Sequence, residues 1–410
     1  PKQWEIKKIK YISTVENSGA FGLEPGEAEF DLPVCTTAQI STNSVFNVTK
    51  MPVRSFSSKE KKFYLGRIGD IFVVKSSGSN TNIISGKLGQ IKHDTPEIIF
   101  SNFLMRIRPK KDLVHPQSLA YFLSSELTKQ RIKRMVATTT YPNINVPKYV
   151  DSTISLPPLN EQPIITHFIL NVDSYTTSLV EQLEKQVHLI KEKRSALITQ
   201  AVTKGLNPDV AMRDSGIDYI GLIPEHWTVG QISKLFDIKA GGDLDREHFS
   251  HKKDQLHKFP IYTNATDENS IYGFTSKPKF NSNTITVSGR GDVGYAIYRD
   301  HAYDAIIRLL VLEPRKNYNC MFFKSCISEI IDFKVGSSAI NQLSTTQISP
   351  YYVPIPPTDE QNEIAEFLSK KINLTLQNVK KIEEQIITLN EYRNALISAA
   401  VTGKIDVRGQ

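Results

Sequence analysis

The sequence predicts a mixed α/β (α+β) protein, in which two globular domains are separated by two long antiparallel coiled-coil helices. Three observations lead to this prediction. A sequence block recurs at an offset of 199 residues, and each copy opens a stretch of 37 residues without proline or glycine. The apolar share of 40% and the charged share of 23% are ordinary for a globular chain. The repeat predicts a pseudo-two-fold relation between the two halves.

The repeat runs without a gap over its most informative part. Residues 156–162 (LPPLNEQ) correspond to 355–361 (IPPTDEQ), and 194–198 (RSALI) correspond to 393–397 (RNALI). A weaker match relates 224–227 (PEHW) to 1–4 (PKQW). The order along the chain is therefore globular unit, helix, globular unit, helix.

The proline-free stretches 164–200 and 363–399 are predicted to be helical. Paired prolines precede each stretch and Gly205 or Gly403 follows it, as expected at helix starts and ends. Apolar residues recur at steps of three and four, which indicates a coiled-coil seam. The seam residues are Val180, Leu183, Val187, Ile190 and Leu197 in the first helix and Val379, Ile382, Ile386, Leu389 and Leu396 in the second. Arg194 and Arg393 fall on the seam, and we expect their side chains to extend outward to water.

Connectivity predicts the direction of the helices. A helix of this length is about 55 Å long, whereas a domain of 149 residues, here 206–354, has a radius of gyration near 15 Å. The second helix must therefore begin close to where the first one ends, so that paired seams run antiparallel. The predicted boundaries are 1–155 and 206–354 for the globular domains, and 156–205 and 355–410 for the helical segments.

Both globular domains are predicted to contain many short strands and few helices. In the first, strands are expected at 72–75, 82–84 and 98–100, and a helix at 116–136. In the second, strands are expected at 284–287, 295–298 and 309–312, and a helix at 319–334.

Composition excludes several classes of protein. No apolar run approaches the roughly 18–20 residues that cross a bilayer, and 1–4 carry no apolar signal core, so no membrane association is expected. Three cysteines do not form a disulfide framework, which predicts a reducing, cytoplasmic setting. Residues 1–150 carry 22 Lys and Arg against 12 Asp and Glu, and the rest of the chain is close to neutral. This localised excess of positive charge points to a polyanionic partner, or to a basic domain without one.

Catalytic motifs are weak. Residues 289–294 fit G-x-G-x-x-G, but a strand rather than a helix is predicted after them, so we interpret them as a tight turn between strands. His248, His251 and His257 share a basic loop, where a solvated or phosphate-facing role is favoured over metal binding. No P-loop and no G-x-S-x-G motif is present in the sequence. We therefore predict a non-enzyme with no cofactor, no metal and no catalytic residue.

Candidate DNA-binding residues are the loop side chains whose chemistry suits phosphates or base edges. Arginine reads guanine, asparagine and glutamine read adenine, and lysine contacts phosphate. The candidates are Arg67, Lys75, Lys87 and Lys92 in the first domain and Arg246, Lys252, Lys253, Asn264, Arg290, Asn341 and Gln342 in the second. Because the second domain is near neutral, its DNA-binding face must be a local patch.

The duplicated Pro-Pro-x-x-Glu-Gln block, followed by a long helix that ends in Arg-x-Ala-Leu-Ile, resembles the specificity (S) subunit of type I restriction–modification systems. Residues 223–227 (IPEHW) resemble that family's entry into a target recognition domain. The resemblance implies that each globular domain is a target recognition domain that reads one half of a split site in double-stranded DNA. It also implies that the helices dock two methyltransferase (M) subunits, and that endonuclease/translocase (R) subunits join them. Methyl donor and ATP chemistry would belong to these partners.

Two further expectations concern geometry and length. Two domains on one rigid spacer favour half-site centres about 10 bp apart, with an outer limit near 16 bp from the helix length. Because 215–223 precede Pro224 and nothing precedes Pro1, the repeat predicts roughly ten further residues ahead of Pro1.

Two other functions remain open at this stage. One is an adaptor that holds two protein-binding modules on a coiled-coil spacer and binds no nucleic acid. The other is a fused enzyme that cleaves or methylates DNA itself.

Overall fold

The structure, a computed structural model, describes residues 1, 3–40, 51–76, 78–79, 82–92, 95–136, 143–264, 271–333 and 342–408. It divides the chain into two compact units. Unit 1 consists of 1–183 and 384–410, and unit 2 of 184–383. Each long helix therefore contributes one part to each unit. The predicted domain boundaries, which place each helix outside the globular domains, stay a prediction.

Unit 1 is built on a four-stranded antiparallel sheet with smaller sheets beside it. Its strands are β1 (Glu5–Lys8), β2 (Ser13–Glu16), β3 (Phe30–Cys35), β4 (Val53–Phe56), β5 (Ile71–Val74), β6 (Gly78–Ser79), β7 (Asn82–Ile83), β8 (Leu88–Gln90), β9 (Ile99–Phe100), β10 (Leu104–Pro109) and β11 (Thr153–Leu156). Its short helices are α1 (Ile9–Ile12), α2 (Ser58–Tyr64), α3 (Pro116–Ser124), α4 (Glu126–Val136) and α5 (Val146–Val150). The main sheet has the order β2-β10-β5-β8, and smaller sheets have the orders β4-β3-β9 and β1-β11.

The first long helix, α6 (Gln162–Lys204), connects to unit 2, which repeats this plan. The strands of unit 2 are β12 (Met212–Asp214), β13 (Leu222–Pro224), β14 (Thr228–Gln231), β15 (Phe236–Ala240), β16 (Phe249–Ser250), β17 (Phe259–Tyr262), β18 (Gly273–Thr275), β19 (Thr284–Val287), β20 (Ala296–Arg299), β21 (Asp304–Ala305), β22 (Leu310–Pro314) and β23 (Tyr352–Ile355). Its helices are α7 (Ile232–Leu235), α8 (Cys320–Ile330) and α9 (Thr345–Ile348), and the second long helix is α10 (Thr358–Val401). The sheets have the orders β15-β22-β19-β20, β16-β18-β17-β21 and β14-β23.

The two main sheets have matching registers. In unit 1 Ile71 pairs with Ile107 and Val73 with Met105; in unit 2 Ile285 pairs with Leu312 and Val287 with Leu310. A parallel pair stands beside each main sheet, β3 with β9 and β17 with β21. The mixed α/β class and the internal repeat are thus confirmed.

Each long helix is fixed to its unit by the Glu-Gln pair of the repeated block. The Trp4 indole N–H donates to Glu161 Oε2 at 3.1 Å, and the Trp227 indole N–H donates to Glu360 Oε2 at 2.8 Å. The next residue, Gln162 or Gln361, is at most 1% exposed. This burial makes its side-chain amide dependent on partners within the protein.

Both glutamines bond backbone groups in the same manner. Gln162 Oε1 accepts the N–H of His115 at 2.8 Å, and Gln361 Oε1 accepts that of Asn319 at 3.0 Å. Gln162 Nε2 donates to the Pro157 carbonyl at 3.0 Å and to the Leu113 carbonyl at 3.2 Å; Gln361 Nε2 donates to that of Pro356 at 2.9 Å. The amide thus joins the start of the long helix to the residue that precedes α3 or α8.

The long helices pack together within each unit. In unit 1, Ile165 and Ile169 near the start of α6 share a core with Ala400 and Val401 at the end of α10. In unit 2, Ile198, Ala201 and Val202 near the end of α6 share a core with Ile364 and Leu368 near the start of α10. The start of one helix thus packs with the end of the other, as in the predicted antiparallel pair.

The ten predicted seam residues differ little in burial. Val379 is buried and the other nine are half-buried. Arg393 departs from the expectation of an outward side chain. Its guanidinium forms an ion pair with Asp173 of α6, with Nε 2.5 Å from Oδ1. The repeat places Ile372 at the position of Asp173, so Arg194 cannot form the equivalent ion pair. The Arg194 Nε is buried and has no hydrogen-bond partner among the described residues.

The strands predicted from the sequence occur at or near their expected positions, but one helix prediction is wrong. The helix expected at 116–136 is broken into α3 and α4, because Ser125 leaves helical geometry (φ −59°, ψ 150°). The Ser125 and Thr128 hydroxyls both donate to the Phe122 carbonyl, at 2.8 Å and 3.1 Å. These side chains thus occupy the end of α3. None of the described helices is long and apolar enough to cross a membrane.

We expect Gln361→Ala to lower the free energy of unfolding by about 2–4 kcal/mol, because a buried N–H and a buried carbonyl lose their partners. Urea unfolding of the full chain measures this change. Gln377→Ala, at an exposed position of the same helix, is the matched control and should change stability by no more than about 0.5 kcal/mol. Equal stability of the two variants would contradict the role given to Gln361.

Candidate nucleic-acid interface

Each unit has one turn at which the parallel strand pair meets the main sheet. We name the turn at 101–104 the unit 1 turn and the turn at 306–309 the unit 2 turn. In the unit 1 turn the N–H of Leu104 donates to the Ser101 carbonyl at 3.1 Å, and in the unit 2 turn the N–H of Leu309 donates to the Ile306 carbonyl at 3.2 Å. Each turn therefore follows one strand of the parallel pair, β9 or β21, and leads into a central strand of the main sheet.

Residues at equivalent positions lie beside both turns, but only in unit 1 do they bond the turn directly. In unit 1, Lys75 follows β5; its N–H donates to the Phe103 carbonyl at 3.0 Å, and its carbonyl accepts the N–H of Ile144 at 2.8 Å. In unit 2, Gly289 stands at the position of Lys75, and its carbonyl accepts the N–H of Leu343 at 2.9 Å. The next residue in each unit forms an isolated antiparallel β-bridge: Ser76 pairs with Asn143, and Arg290 pairs with Gln342.

The unit 2 turn has one additional support, Asn264. Its Nδ2 donates to the Ile307 carbonyl at 2.6 Å, and its Oδ1 accepts the N–H of Gly289 at 2.7 Å. Both ends of this amide are thus used inside the protein. A Cβ at Gly289 would lie 2.8 Å from the Leu343 carbonyl oxygen and 3.1 Å from that of Arg308, so only glycine fits this close approach.

Three of the predicted DNA-binding residues of unit 2 meet at this turn: Asn264, Arg290 and Gln342. Arg290 is exposed and Gln342 is half-buried. Among the described residues, neither side chain has a hydrogen-bond or ion-pair partner. The fourth candidate of this region, Asn341, lies outside the described residues.

The other candidates of unit 2 lie in exposed loops. Arg246 is on a short 3-10 helix, Arg246–His248, and Lys252 and Lys253 are in the loop between β16 and β17. The hydrogen bonds described above for the unit 2 turn do not involve these three residues. Asp254 organises this loop by accepting the N–H of Leu256 at 2.8 Å and that of His257 at 2.7 Å.

Two histidines of this region, His248 and His257, lie near carboxylates, whereas the His251 ring packs against Phe249. His257 Nδ1 lies 2.9 Å from Asp254 Oδ2. The pKa of Asp254 is lowered, first by the hydrogen bond from the His257 backbone N–H and then by the His257 side chain. His248, with Asp245 and Glu247, forms a group whose potential ligand atoms lie within 4.8 Å of one another. Asp245 Oδ1 also accepts the Glu247 N–H at 3.2 Å, so this carboxylate caps the short helix.

The candidates of unit 1 divide between the two ends of one strand pair. Lys75 and Lys87 lie at the end that supports the unit 1 turn, where the Lys87 carbonyl accepts the Val74 N–H at 2.8 Å. Lys75 is half-buried, and its Nζ donates to the Asn17 carbonyl at 2.6 Å. Burial lowers the pKa of Lys75. Arg67 and Lys92 are exposed and lie at the opposite end, where Ile71 pairs with Gln90.

Lys92 also borders a groove of about 850 Å³ in unit 1. The polar side chains that line this groove include Lys92, Lys111, His115 and His167, and its apolar wall includes Leu170. No carboxylate is among its described lining residues. The groove therefore presents a basic surface at the end of the sheet opposite the unit 1 turn.

Sequence reasoning missed the turn residues Asn102, Phe103, Ile307 and Arg308. All four are exposed. The missed signal is the central pair of each turn, 102–103 just before β10 and 307–308 one residue before β22, and these pairs become equivalent only when the two sheets are superimposed by register. Arginine and asparagine at such positions have the donors and acceptors that read base edges.

The 289–294 segment connects the antiparallel strands β19 and β20, as the sequence predicted for a tight turn. Ser288 closes it, because its N–H donates to the Tyr295 carbonyl at 3.0 Å and its Oγ accepts the Tyr295 N–H at 2.9 Å. The segment leads into a strand and not into a phosphate-binding helix.

The chain is similar in sequence to one known protein family and to several of its members. The family model described as "Type I restriction modification DNA specificity domain" matches residues 1–189 and 224–388. The putative type I restriction enzyme MjaX specificity subunit of Methanocaldococcus jannaschii is 24% identical over 426 residues, which cover 100% of this chain and 95% of that protein. The EcoKI specificity subunit of Escherichia coli K12 is 29% identical over 354 residues, which cover 78% and 73% of the two chains.

Two solved structures share the fold. A chain from a study of complex assembly and conformational transition in a type I R-M system has a TM-score of 0.75 at 14% identity and covers 99% of both chains. The HsdS subunit of Thermoanaerobacter tengcongensis has a TM-score of 0.54 at 14% identity, with 99% and 98% covered. At this level of identity the likeness is one of fold.

We expect Asn264→Ala to destabilise unit 2 by about 1–3 kcal/mol, because the Ile307 carbonyl and the Gly289 N–H lose their partner. Hydrogen exchange should become faster at the amides of 307 and 308 in particular. Asn281→Ala, at an exposed asparagine of the same unit, is the control and should leave both measurements unchanged. Unchanged exchange at the turn in the Asn264 variant would show that this amide does not hold it.

Proposed function

The chain belongs to the type I restriction–modification DNA specificity family, as a non-catalytic DNA specificity subunit, and on this basis we propose that unit 1 and unit 2 each read one half of a bipartite site in double-stranded DNA. The observation that carries the proposal is the duplicated turn. In both units a hydrogen bond between the first and fourth residues closes the turn before a central strand of the main sheet, but the exposed side chains differ. A shared frame with different side chains is what two different half-sites require.

Charge supports the proposal in unit 2. This unit is close to neutral, so any DNA-binding face must be local. Arg290 and Arg308 are exposed near the same turn, with no ion-pair partner among the described residues. Such unpaired cations lose no internal bond when they bind a phosphate or a base.

The partners are proposed from the family. Two methyltransferase (M) subunits would dock on the helices, and endonuclease/translocase (R) subunits would join them. The cytoplasm is the proposed location, in agreement with the free, buried state of Cys35, Cys320 and Cys326. Candidate phosphate contacts are the exposed Arg67, Lys92, Arg246, Lys252 and Lys253.

The test is methylation of a random-sequence DNA library by the full chain in complex with methyltransferase subunits of its own system, followed by sequencing of the modified sites. We expect two short specified half-sites separated by a gap of fixed length without base preference. A single uninterrupted motif would contradict the bipartite model. DNA mobility that stays unchanged in the presence of the methyltransferase subunits would favour the adaptor instead, and activity of the single chain would favour a fused enzyme.

A second prediction concerns the gap. We expect that seven residues inserted after 183 and after 383 lengthen the unread gap by about 3 bp and leave both half-sites unchanged, because seven residues add about 10 Å while preserving the helical phase. Sequencing of methylated sites measures both quantities. The same insertion in α6 alone is the control, because it displaces the helices out of register and should reduce methylation. A changed half-site in the doubly lengthened variant would argue against helices that act only as a spacer.

A further inference from the structure

The unit 2 turn has an uncommon backbone. Ile307 and Arg308, its two central residues, have φ of 57° and 58°. This left-handed region is the one that glycine and asparagine favour, and a β-branched residue such as isoleucine occupies it only at a cost. Strained backbone of this type concentrates at functional sites, where surrounding bonds maintain it.

The surrounding bonds of this turn are numerous. The N–H of Ile307 donates to the Gly242 carbonyl and that of Arg308 to the Gly241 carbonyl, both at 3.1 Å. The Ile307 carbonyl accepts from Asn264, as described above. These backbone hydrogen bonds join the turn to other segments of unit 2, while the side chains of Ile307 and Arg308 are exposed.

Both side chains are free to bind something else. Ile307 is 48% exposed. The Arg308 guanidinium has no hydrogen-bond or ion-pair partner among the described residues. The Arg308 side chain thus makes no polar contact within the described part of unit 2, which points to a ligand outside it.

The unit 1 turn presents a comparable pair without strain. Phe103 is 48% exposed, like Ile307, and Asn102 is exposed beside it. Each turn therefore combines one exposed apolar side chain with one side chain that can form two hydrogen bonds. This combination is the chemistry that reads a base pair in the major groove.

We propose that the two turns are the base-reading elements of the chain, with Arg308 selecting a guanine in one half-site and Asn102 selecting an adenine in the other. The proposal rests on the DNA-reading function proposed above. Arginine matches O6 and N7 of guanine, and asparagine matches N6 and N7 of adenine. Ile307 and Phe103 contact the neighbouring base, where the methyl group of thymine is the apolar target.

The experiment uses the full chain in its methyltransferase complex on the random-sequence library. Wild type should require guanine at one position of one half-site. In Arg308→Ala and Arg308→Gly the preference at that position should fall about tenfold to hundredfold, while the other positions and the other half-site stay unchanged. Arg308→Lys keeps the charge but loses the two-pronged geometry, so it should lose most of the preference as well.

Arg308→Gly separates reading from folding. Because glycine tolerates φ of 58°, the melting temperature of the Arg308→Gly variant should equal or exceed that of wild type, although the preference for guanine is lost. Arg315→Ala is the matched control. This arginine follows the opposite end of β22, pairs with Asp237, and should leave the base profile unchanged.

The outcomes distinguish the two proposals. If wild type modifies a bipartite site and the Arg308 variants keep its base profile, the turn assignment fails while the proposed function stands. Weaker methylation with an unchanged profile would make Arg308 a phosphate contact and also overturn the assignment. If wild type shows no sequence preference at all, the proposed function itself fails and the turn assignment fails with it.

Discussion

The attachment of each long helix to its unit depends on one buried amide. Gln162 and Gln361 must satisfy a backbone N–H and a backbone carbonyl at once, which a carboxylate cannot do because it only accepts. The preceding glutamate has the complementary task, since it accepts the indole N–H of a tryptophan. The glutamate and the glutamine of the repeated pair therefore form different kinds of hydrogen bond, one to an indole and the other to backbone groups. With both in place, the helix start is joined to the residue before α3 or α8 and to the segment before β1 or β14.

The exposed side chains of the two turns differ between the units. Exposed turn side chains contribute little to core packing, so their identity is limited mainly by what they bind. The backbone around them is limited much more strongly, as the glycine at 289 shows: a Cβ there would approach two carbonyl oxygens. Lysine stands at the same position in unit 1, where its side chain is directed to the Asn17 carbonyl instead. The two units thus share a frame but meet its local steric demands with different residues.

Periodicity and repetition made the long helices, the strand-rich units and the turn between β19 and β20 predictable, because these features are encoded by residues close in sequence. The remaining features depend on distant partners. The Arg393–Asp173 ion pair joins residues 220 positions apart. Because Ile372 stands at the position of Asp173 in the other copy, the repeat gave no indication of this pair. The break at Ser125 results from hydroxyl groups that compete for one carbonyl. The unit 2 turn contains neither glycine nor asparagine at 307 or 308, so no residue signal marked its left-handed backbone.

The net charge of each unit indicated candidate DNA-binding residues less directly than the positions of its unpaired charged side chains did. Some cations in the first third of the chain serve internal bonds: Arg108 forms two bonds of 2.7 Å to Asp70, and Arg106 donates to the carbonyls of Phe63 and Leu65. Burial lowers the pKa of Arg106, as expected for a cation enclosed by protein. Unit 2 has no comparable excess but exposes, near one turn, two arginines without an ion-pair partner among the residues that the structure describes. The electrostatic field of a protein depends on all of its charges, whereas base reading depends on a few hydrogen-bond donors in fixed positions. A nearly neutral unit can therefore specify sequence as sharply as a basic one.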